Sequence, residues 1–456
     1  MSSIRMSCRF RSHPLIRYKF GLSAYAVPVS LAKNAGTQLM RYLILALFFL
    51  MAGIAYVQRA AISVPASQVA SDLQITHFEE SMGFVQSAWY LGYALLQIPA
   101  GRLADRWGCR RSIVLYCLLW SLATATTGFV SGLWSLSGSW FLMGALQAGA
   151  FPCAALAIAQ IFPVSERARA SGILAAGMTV GAAAAPAIVA RLLGVLQPAA
   201  TSTGFFVWQL SLFLLAIPGI LWCFLFVGIV PESKLPVRPS AQSTLPFRLM
   251  LRRMLASKSL ALLCAQQFLR AAGMVFFVSW FPSFLQKTRG VDLKTSADLS
   301  SWVGIGGVIG SLTGGLASDL LLQLTGNRRL ARQGLAVSGM LLCSLLMLAS
   351  MKVADIRIAI FLITAGVFCA TFGGVSGYTV AIEFGGQQTA TVFSMMNMVG
   401  NFGAMLFPLV SGWLTARFNN WNLMILLFAG IMAVDAVCWA LLNPRTQLFP
   451  DPPADS

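Results

Sequence analysis

The sequence predicts an all-α membrane protein, with twelve transmembrane helices in two pseudo-symmetric six-helix halves and both termini in the cytoplasm. Three observations support this fold class. Hydrophobic residues make up 57% of the chain and charged residues 10%, whereas a soluble domain has about 25% charged residues. Apolar segments of about 20 residues, long enough to cross about 30 Å of hydrocarbon as a helix, recur along the chain. Lysine and arginine concentrate in alternate loops.

The apolar segments follow one another from residue 41 to residue 443. The twelve predicted spans are 41–64, 81–101, 112–134, 138–162, 170–193, 205–230, 259–285, 298–323, 333–352, 356–382, 390–416 and 421–443. With the N-terminus inside, the inner segments hold 23 lysines and arginines and the outer segments hold 7. Because basic residues stay on the cytoplasmic side, this bias predicts cytoplasmic termini in a multi-pass protein of the cell membrane, which is the inner membrane in a bacterium.

The longest inner loop divides the chain. The predicted parts are a basic cytoplasmic tail at 1–40, an N-terminal half at 41–230, a cytoplasmic linker at 231–258, a C-terminal half at 259–443 and a second tail at 444–456. We expect the first tail to be poorly ordered. It has no long apolar core and so is not a secretory signal. The sequence leaves open whether residues 1–39 belong to the protein in the cell.

The two halves resemble each other in sequence. GRLADR at 101–106 is matched by GGLASDL at 314–320, which aligns Asp105 with Asp319. Arg59 and Arg270 have a similar offset. An internal repeat across a central loop is typical of transporters, which bind substrate near the membrane midplane between the repeats.

Several classes of protein are excluded. The net charge of +18 lies between the spans, so no soluble basic domain exists to bind nucleic acid. The nine cysteines form no C-x-x-C pair, and the chain has two histidines, so we expect no metal site. No nucleotide motif or cluster of catalytic nucleophiles is present. We therefore expect neither an enzyme nor a cofactor.

Arg59 lies inside the first span, where an ionisable side chain is costly and indicates a functional site. A guanidinium binds a carboxylate through two parallel hydrogen bonds and stays charged when it is desolvated. Tyr56 precedes Arg59 by three residues and so shares its helix face. The alternative is a structural ion pair with Glu383 or Asp435.

The loop GRLADRWGCRR at 101–111 resembles the loop between helices two and three of the major facilitator superfamily. The resemblance implies that the two halves rock to alternate access to a central site. It also implies that an aspartate holds the inner side closed against a helix N-terminus. The alternative is a charged loop without that role. The expected latch residues are Gly101, Asp105, Arg106, Gly108, Arg110, Arg111 and Asp319.

Within the superfamily, the chain resembles the anion:cation symporter family, whose members transport hexonates, glucarate and hexuronates. Tyr56-Val57-Gln58-Arg59 stands where that family usually has Tyr-x-Asp-Arg. Similar blocks are SAWYLGYALLQIPAGRLADRWG (87–108), WFPSFLQ (280–286) and FSMMNMVGNFGAMLFPLVSGWL (393–414). The resemblance implies a small organic anion as substrate, most naturally a sugar acid.

Two departures bear on ion coupling. The family's carboxylates for proton coupling are Gln58 and Gln147 here, and glutamine cannot take up a proton. We therefore expect no proton symport by the usual route, and transport by uniport, exchange or another ion. A third departure is Trp140, which stands where relatives often have an arginine and serves either a sugar ring or packing.

Arg270, within the seventh span, is a possible second anchor, with an ion pair to Glu383 or Asp435 as the alternative. Gln266 and Gln267 lie one turn earlier and could donate hydrogen bonds to substrate. The family pattern adds Tyr93 and Asn397 to the expected site. For Asn397 the alternative is a hydrogen bond between helices, and for Asn401 we expect packing.

Ser376 and Thr371 are the remaining expected hydroxyl donors. The prediction is thus a monomeric sugar-acid transporter in a lipid bilayer. The alternatives are a facilitator of a neutral or differently charged solute and a transporter-like receptor that senses a solute without moving it.

Overall fold

The computed structural model describes the backbone of residues 29–75, 78–236, 246–418, 420–443 and 447–450. This part of the chain is helical and contains no strand. The helices are α1 Val29–Arg59, α2 Ala66–Asp72, α3 Phe78–Trp107, α4 Cys109–Thr126, α5 Leu133–Gln147, α6 Ala150–Ile161, α7 Arg167–Thr203, α8 Val207–Ile229, α9 Phe247–Ala256, α10 Lys258–Ser279, α11 Phe281–Arg289, α12 Leu293–Thr325, α13 Leu335–Lys352, α14 Ile356–Gly385, α15 Thr389–Phe418 and α16 Asn422–Leu441. A π-helical turn, Arg329–Gly334, leads into α13.

Within the described residues, ten stretches are long and apolar enough to cross a membrane. One of them, Ile356–Phe407, contains most of α14 and α15, which are separated by a short 3-10 turn. The predicted span 81–101 lies on α3, a helix of 30 residues that falls outside these ten. Its glutamines and its charged ends lower its mean hydropathy, so its length rather than its composition suits a span.

Two predicted spans are interrupted. The span 138–162 is divided between α5 and α6, and the span 259–285 between α10 and α11. Pro152 and Pro282 lie in the first turns of α6 and α11, where the missing N–H of proline costs no hydrogen bond.

The predicted N-terminal tail and the predicted linker both contain helix. Helix α1 begins at Val29, inside the expected tail, and residues 1–28 lie outside the described residues. The linker contains α9, whose Met250 and Met254 are buried. Most of the second tail also lies outside the described residues.

The most extensive contacts between the halves join α3 with α15 and α7 with α12. Glycines allow the backbones to approach closely. A Cβ atom on Gly101 of α3 would lie 2.2 Å from Ser394 Oγ of α15, and one on Gly315 of α12 would lie 2.5 Å from the carbonyl oxygen of Ala168. Both contacts lie near the ends of α3 and α12 and at the beginnings of α15 and α7.

Candidate functional site

A cavity of about 540 Å³ lies between the halves. Helices α1, α3, α5 and α7 line it from one half, and α10, α14 and α15 from the other. Eight residues singled out in the sequence lie on its wall: Tyr56, Arg59, Tyr93, Trp140, Gln267, Arg270, Asn397 and Asn401. The structure therefore brings residues that are more than 300 positions apart in sequence to one cavity.

Arg59 points into this cavity from the last turn of α1. Its Nε donates a 2.6 Å hydrogen bond to Oε1 of Gln147 on α5. Its Nη2 is buried and has no hydrogen-bond partner. No salt bridge to Arg59 occurs among the described residues, so the ion pair considered from the sequence is not formed. Buried donors are nearly always hydrogen-bonded in proteins. Nη2 can therefore donate to an acceptor that enters the cavity.

Aromatic rings surround the Arg59 guanidinium. Its carbon lies 4.3 Å from the ring centroid of Trp89, 4.4 Å from that of Tyr56, 5.1 Å from Tyr93 and 5.8 Å from Phe151. Each ring face attracts a cation, and the rings limit its movement. Sequence reasoning missed Trp89, although its position one helical turn before Tyr93 was a usable signal.

Arg270 faces the same cavity from α10. Its Nη2 donates to Oε1 of Gln267 at 2.8 Å, and its guanidinium lies 5.5 Å from the ring centroid of Tyr378. Its Nε is buried without a partner. Tyr378, from α14, was also missed. The two arginines thus approach the cavity from opposite halves, each beside a glutamine.

A direct contact joins the halves across the cavity. The amide nitrogen of Asn397 on α15 donates to the hydroxyl of Tyr93 on α3 at 3.1 Å. Asn401 bonds the carbonyl of Asn397 in its own helix at 2.7 Å. Gln266 bonds the carbonyl of Leu263 in the same way, so it is held within α10.

The two glutamines at the coupling positions have different surroundings. Gln58 is fully buried and faces away from the cavity. It accepts from Trp120 Nε1 at 2.7 Å and donates to the carbonyl of Leu215 at 2.8 Å. Gln147 accepts from Nε of Arg59 and donates to the carbonyl of Ala55 at 3.3 Å. Only Gln147 therefore acts directly on the site arginine.

Two expected hydroxyl donors lie elsewhere. Ser376 is buried and does not line the cavity. Tyr378 of the same helix does line it, and two residues correspond to about 200° of rotation, so Ser376 faces the opposite side. Thr371 bonds carbonyl oxygens of its own helix, Val367 and Phe368. The cavity contacts of α14 therefore come from Tyr378.

Asp105 joins the two halves close to Gly101. One carboxylate oxygen accepts from the backbone N–H of Ala390 at 3.0 Å, and the other accepts from the N–H and the hydroxyl of Thr391 at 2.8 and 2.7 Å. These donors belong to the first turn of α15, where N–H groups have no helical partner and favour a negative charge. Burial raises the pKa of Asp105 to about 7, and the hydrogen bonds from Thr391 and Ala390 oppose that shift.

Asp319 forms the corresponding contact in the other half. It accepts from the backbone N–H groups of Ala168 and Arg169 at 3.2 and 2.7 Å, in the first turn of α7. The buried Arg332 joins it at 2.9 Å and also binds Glu383 at 3.0 Å. Glu383 is therefore the partner of Arg332 and of neither site arginine, which corrects one alternative from the sequence.

The other residues expected in the latch differ in how many contacts they make. Gly108 has a φ of 86°, which favours glycine, at the cap of α4. Arg110 donates to the carbonyl of Val230 at 2.7 Å, and Arg111 pairs with Glu232 at 3.2 Å. Arg106 is exposed. Arg110 and Arg111 thus tie the start of α4 to the end of α8 and to Glu232 just after it.

Comparisons with known proteins agree with this architecture. A family model described as Major Facilitator Superfamily matches residues 48–381 and 292–456. A probable sulfoacetate transporter of Cupriavidus necator is 29% identical over 423 residues, 89% of this chain and 94% of that protein. A probable galactarate/D-glucarate transporter of Escherichia coli K12 is 26% identical over 431 residues, 88% of this chain and 94% of that protein. The crystal structure of the transporter FucP in the outward conformation matches with a TM-score of 0.71 at 17% identity, covering 89% of this chain and 99% of that one.

Proposed function

Because this chain belongs to the Major Facilitator Superfamily, we propose that it is a secondary transporter that moves a small organic anion by alternating access. It is a multi-pass membrane protein and not an enzyme. The substrate class that we favour is a sugar acid: a hexonate, glucarate or a hexuronate. It would bind in the cavity between the halves, near the membrane midplane.

The observation that carries this proposal is the state of Arg59. A cation that is buried without a carboxylate is costly unless another anion completes it. Arg59 has no salt bridge among the described residues, and its Nη2 has no acceptor. A carboxylate or sulfonate from the cavity would supply both the charge and the acceptor.

The rest of the cavity suits a polar anion. Gln267, Asn397 and Asn401 provide amide groups, and Tyr56 and Tyr93 provide hydroxyls. Such neutral groups can bond the hydroxyls of a sugar acid and orient it. The named substrates of the relatives, sulfoacetate and galactarate or glucarate, are all small organic anions, which supports this class.

The proposed topology has twelve spans with both termini in the cytoplasm. The ten apolar stretches become eleven when α3 is counted as a span. They become twelve when the stretch that contains α14 and α15 is counted as two spans. On this topology the contacts of Asp105 and Asp319 lie at the cytoplasmic side, where the interface is sealed. The present conformation would therefore be open to the outside, and breaking both contacts would open the inside.

We also propose that the usual proton route is absent. Gln58 is satisfied by Trp120 and the carbonyl of Leu215, and Gln147 by Arg59 and the carbonyl of Ala55. Neither side chain can exchange a proton. Coupling, if the protein has any, must then use another residue.

The test is exchange of labelled glucarate, galactonate and sulfoacetate across proteoliposomes that contain the full chain. We expect saturable exchange of at least one anion, with competition by carboxylates but not by the matching neutral sugars. Arg59→Ala should reduce exchange at low substrate concentration by about tenfold or more, because a charged hydrogen bond contributes roughly 1.5–3 kcal/mol.

Other outcomes would replace the proposal. Flux of neutral sugars that Arg59→Ala does not affect would indicate a facilitator of neutral solutes. Saturable binding without any flux would indicate a receptor. The matched control is Arg357→Ala, which removes an exposed arginine at the start of α14.

A further inference from the structure

Asp435 is a buried carboxylate that the proposed site does not use. It lies in α16, has no exposed surface, and neither of its oxygens has a hydrogen-bond partner. An ionised carboxylate in such a place costs far more than a neutral one unless a cation pairs with it. The state of Asp435 must therefore depend on the nearest cation or on a proton.

The helix register brings Arg270 to the level of Asp435. A Cβ atom on Gly273 of α10 would touch the side chains of Met432 and Phe428 of α16. On the proposed topology α10 and α16 run in opposite directions. Arg270, three residues before Gly273, then lies level with Asp435, three residues after Met432. Arg270 is the cation that α10 places at this level, and its Nε has no partner.

No other charged group competes for Asp435 in the described part of the chain. The titratable side chains around it are Arg270 from α10, Cys343 from α13 and Cys438 from α16 itself. Helix α15 also packs on α16, and its one titratable residue, Arg417, is in its last turn.

The π-helical turn that precedes α13 also contacts α16. Its Arg332 is engaged by Asp319 and Glu383, and its Arg329 donates to Gln333 at 2.7 Å. Arg332 is thus already paired with two carboxylates, whereas Arg329 is exposed and forms no salt bridge with Asp435 among the described residues. Asp435 and Arg270 are therefore opposite charges at the same level of two facing helices, and no salt bridge joins them among the described residues.

We propose that Asp435 is a proton-binding site that is coupled to anion binding through Arg270. When Asp435 is ionised, its charge offsets that of Arg270, and the cavity retains the attraction of Arg59 alone. When a proton adds to one carboxylate oxygen, Asp435 becomes neutral and Arg270 presents its full charge to the cavity. One proton and one anion then stabilise each other, and they cross together.

This inference rests on the proposed function and extends it. Asp435 would perform in the C-terminal half the coupling that carboxylates at the positions of Gln58 and Gln147 perform in the family that the sequence resembles. The geometry that permits this is the position of Arg270, which lies on the cavity wall and level with Asp435.

The first measurement needs no substrate. Infrared spectra of the purified full chain, recorded as a function of pH, report the C=O stretch of protonated carboxyl groups. We expect a band near neutral pH that Asp435→Asn removes and that the control Asp355→Asn, an exposed cap of α14, leaves in place. Absence of an Asp435 band at every pH above about 4, the ordinary range for this group, would overturn the proposal.

The second measurement uses labelled glucarate and sulfoacetate in proteoliposomes at clamped zero potential. With one proton per anion, an inward gradient of one pH unit should raise accumulation about tenfold. Asp435→Asn should lose this response while exchange without a gradient continues. Asp435→Glu should keep the response, and Asp355→Asn should match the wild type.

The two proposals fail differently. Exchange that proceeds in the wild type but ignores the gradient, or a gradient response that survives in Asp435→Asn, overturns coupling through Asp435 and leaves the transporter proposal intact. Absence of exchange and binding for every anion overturns the proposed function, whereas the infrared titration still decides whether Asp435 holds a proton.

Discussion

Gln147 illustrates how one amide sets the character of the site. Its side chain is fully buried, and its Oε1 is 2.6 Å from Arg59 Nε. A neutral amide satisfies one donor of the guanidinium without cancelling its charge. A carboxylate in the same place would form a charge-assisted bond and neutralise the cation. The amide at position 147 therefore leaves the charge of Arg59 available to a substrate anion.

We predict that Gln147→Glu weakens anion binding at neutral pH by about tenfold or more, since a competing charged pair is worth roughly 1.5–3 kcal/mol. Acidification should restore affinity as the new carboxyl takes up a proton. The measurement is the pH dependence of glucarate or sulfoacetate exchange. The control is Gln323→Glu, an exposed position on α12, and unchanged affinity in Gln147→Glu would refute the prediction.

At the scale of elements, the contact between α3 and α15 is the one that would hold the cytoplasmic side closed on the proposed topology. Gly101 permits the approach, because any Cβ atom there would lie 2.2 Å from Ser394 Oγ and 2.6 Å from the carbonyl oxygen of Ala390. The second of these atoms is backbone and cannot move without moving the helix. A larger residue must therefore separate the two helices.

We predict that Gly101→Val shifts the population toward the state that is open to the cytoplasm. The measurement is the distance distribution between spin labels at Trp107→Cys and Gln323→Cys, in a background without the native cysteines. Longer distances are expected. Gly83→Val, on the same helix with no atom within 4 Å of its Cβ position, should leave the distribution unchanged. An unchanged distribution in Gly101→Val would count against the latch.

The same contact should respond to pH. Burial raises the pKa of Asp105 from 3.8 to about 7 in the closed interface, whereas in an open interface water would return it toward about 4. The closed state thus binds the proton more tightly, and it gains stability relative to the open state as pH falls from about 7 to about 4.

We therefore predict shorter label distances at pH 5.5 than at pH 8, and loss of this change in Asp105→Asn. The native side chains at the two labelled positions, Trp107 and Gln323, do not titrate. Labelling therefore removes no titratable group from the protein. Longer distances at low pH, or an equal change in Asp105→Asn, would contradict the assignment to this carboxyl.

At the scale of the whole molecule, the charge distribution and the contacts of Asp105 and Asp319 predict the same orientation of the protein in the membrane. The side that carries Asp105 and Asp319 also carries most of the basic loop residues, and basic loops face the cytoplasm. The cavity should then open on the opposite side, where the short helix α2 lies. Substrate would enter there in the present conformation.

We predict that Gln68→Cys on α2 reacts with a membrane-impermeant maleimide in intact cells. Gln323→Cys should react only after permeabilisation. Both positions are exposed, so the difference reports sidedness and not burial. The reverse pattern would invert the proposed topology.

The sequence predicted the helical class, the family and a membrane-embedded arginine. Hydropathy and spacing are local properties, because a helix of about 20 apolar residues is stable in a bilayer whatever its neighbours are. The same holds for Tyr56, which shares a face with Arg59 through helix geometry alone. The sequence also singled out Asp105 by its loop, and the structure places its carboxylate on the first turn of α15, while its role as a latch stays a prediction.

Only the tertiary structure decided which side chains meet. Ser376 was expected in the site but faces away, because a difference of two residues turns a helical side chain by about 200°. Glu383 was a possible partner for the site arginines but pairs with Arg332, 51 residues earlier in the chain. Trp89 meets Arg59 although the two residues are on different helices, α3 and α1. Rotation and register between helices depend on the packing of whole surfaces, and no local pattern in the sequence contains that information.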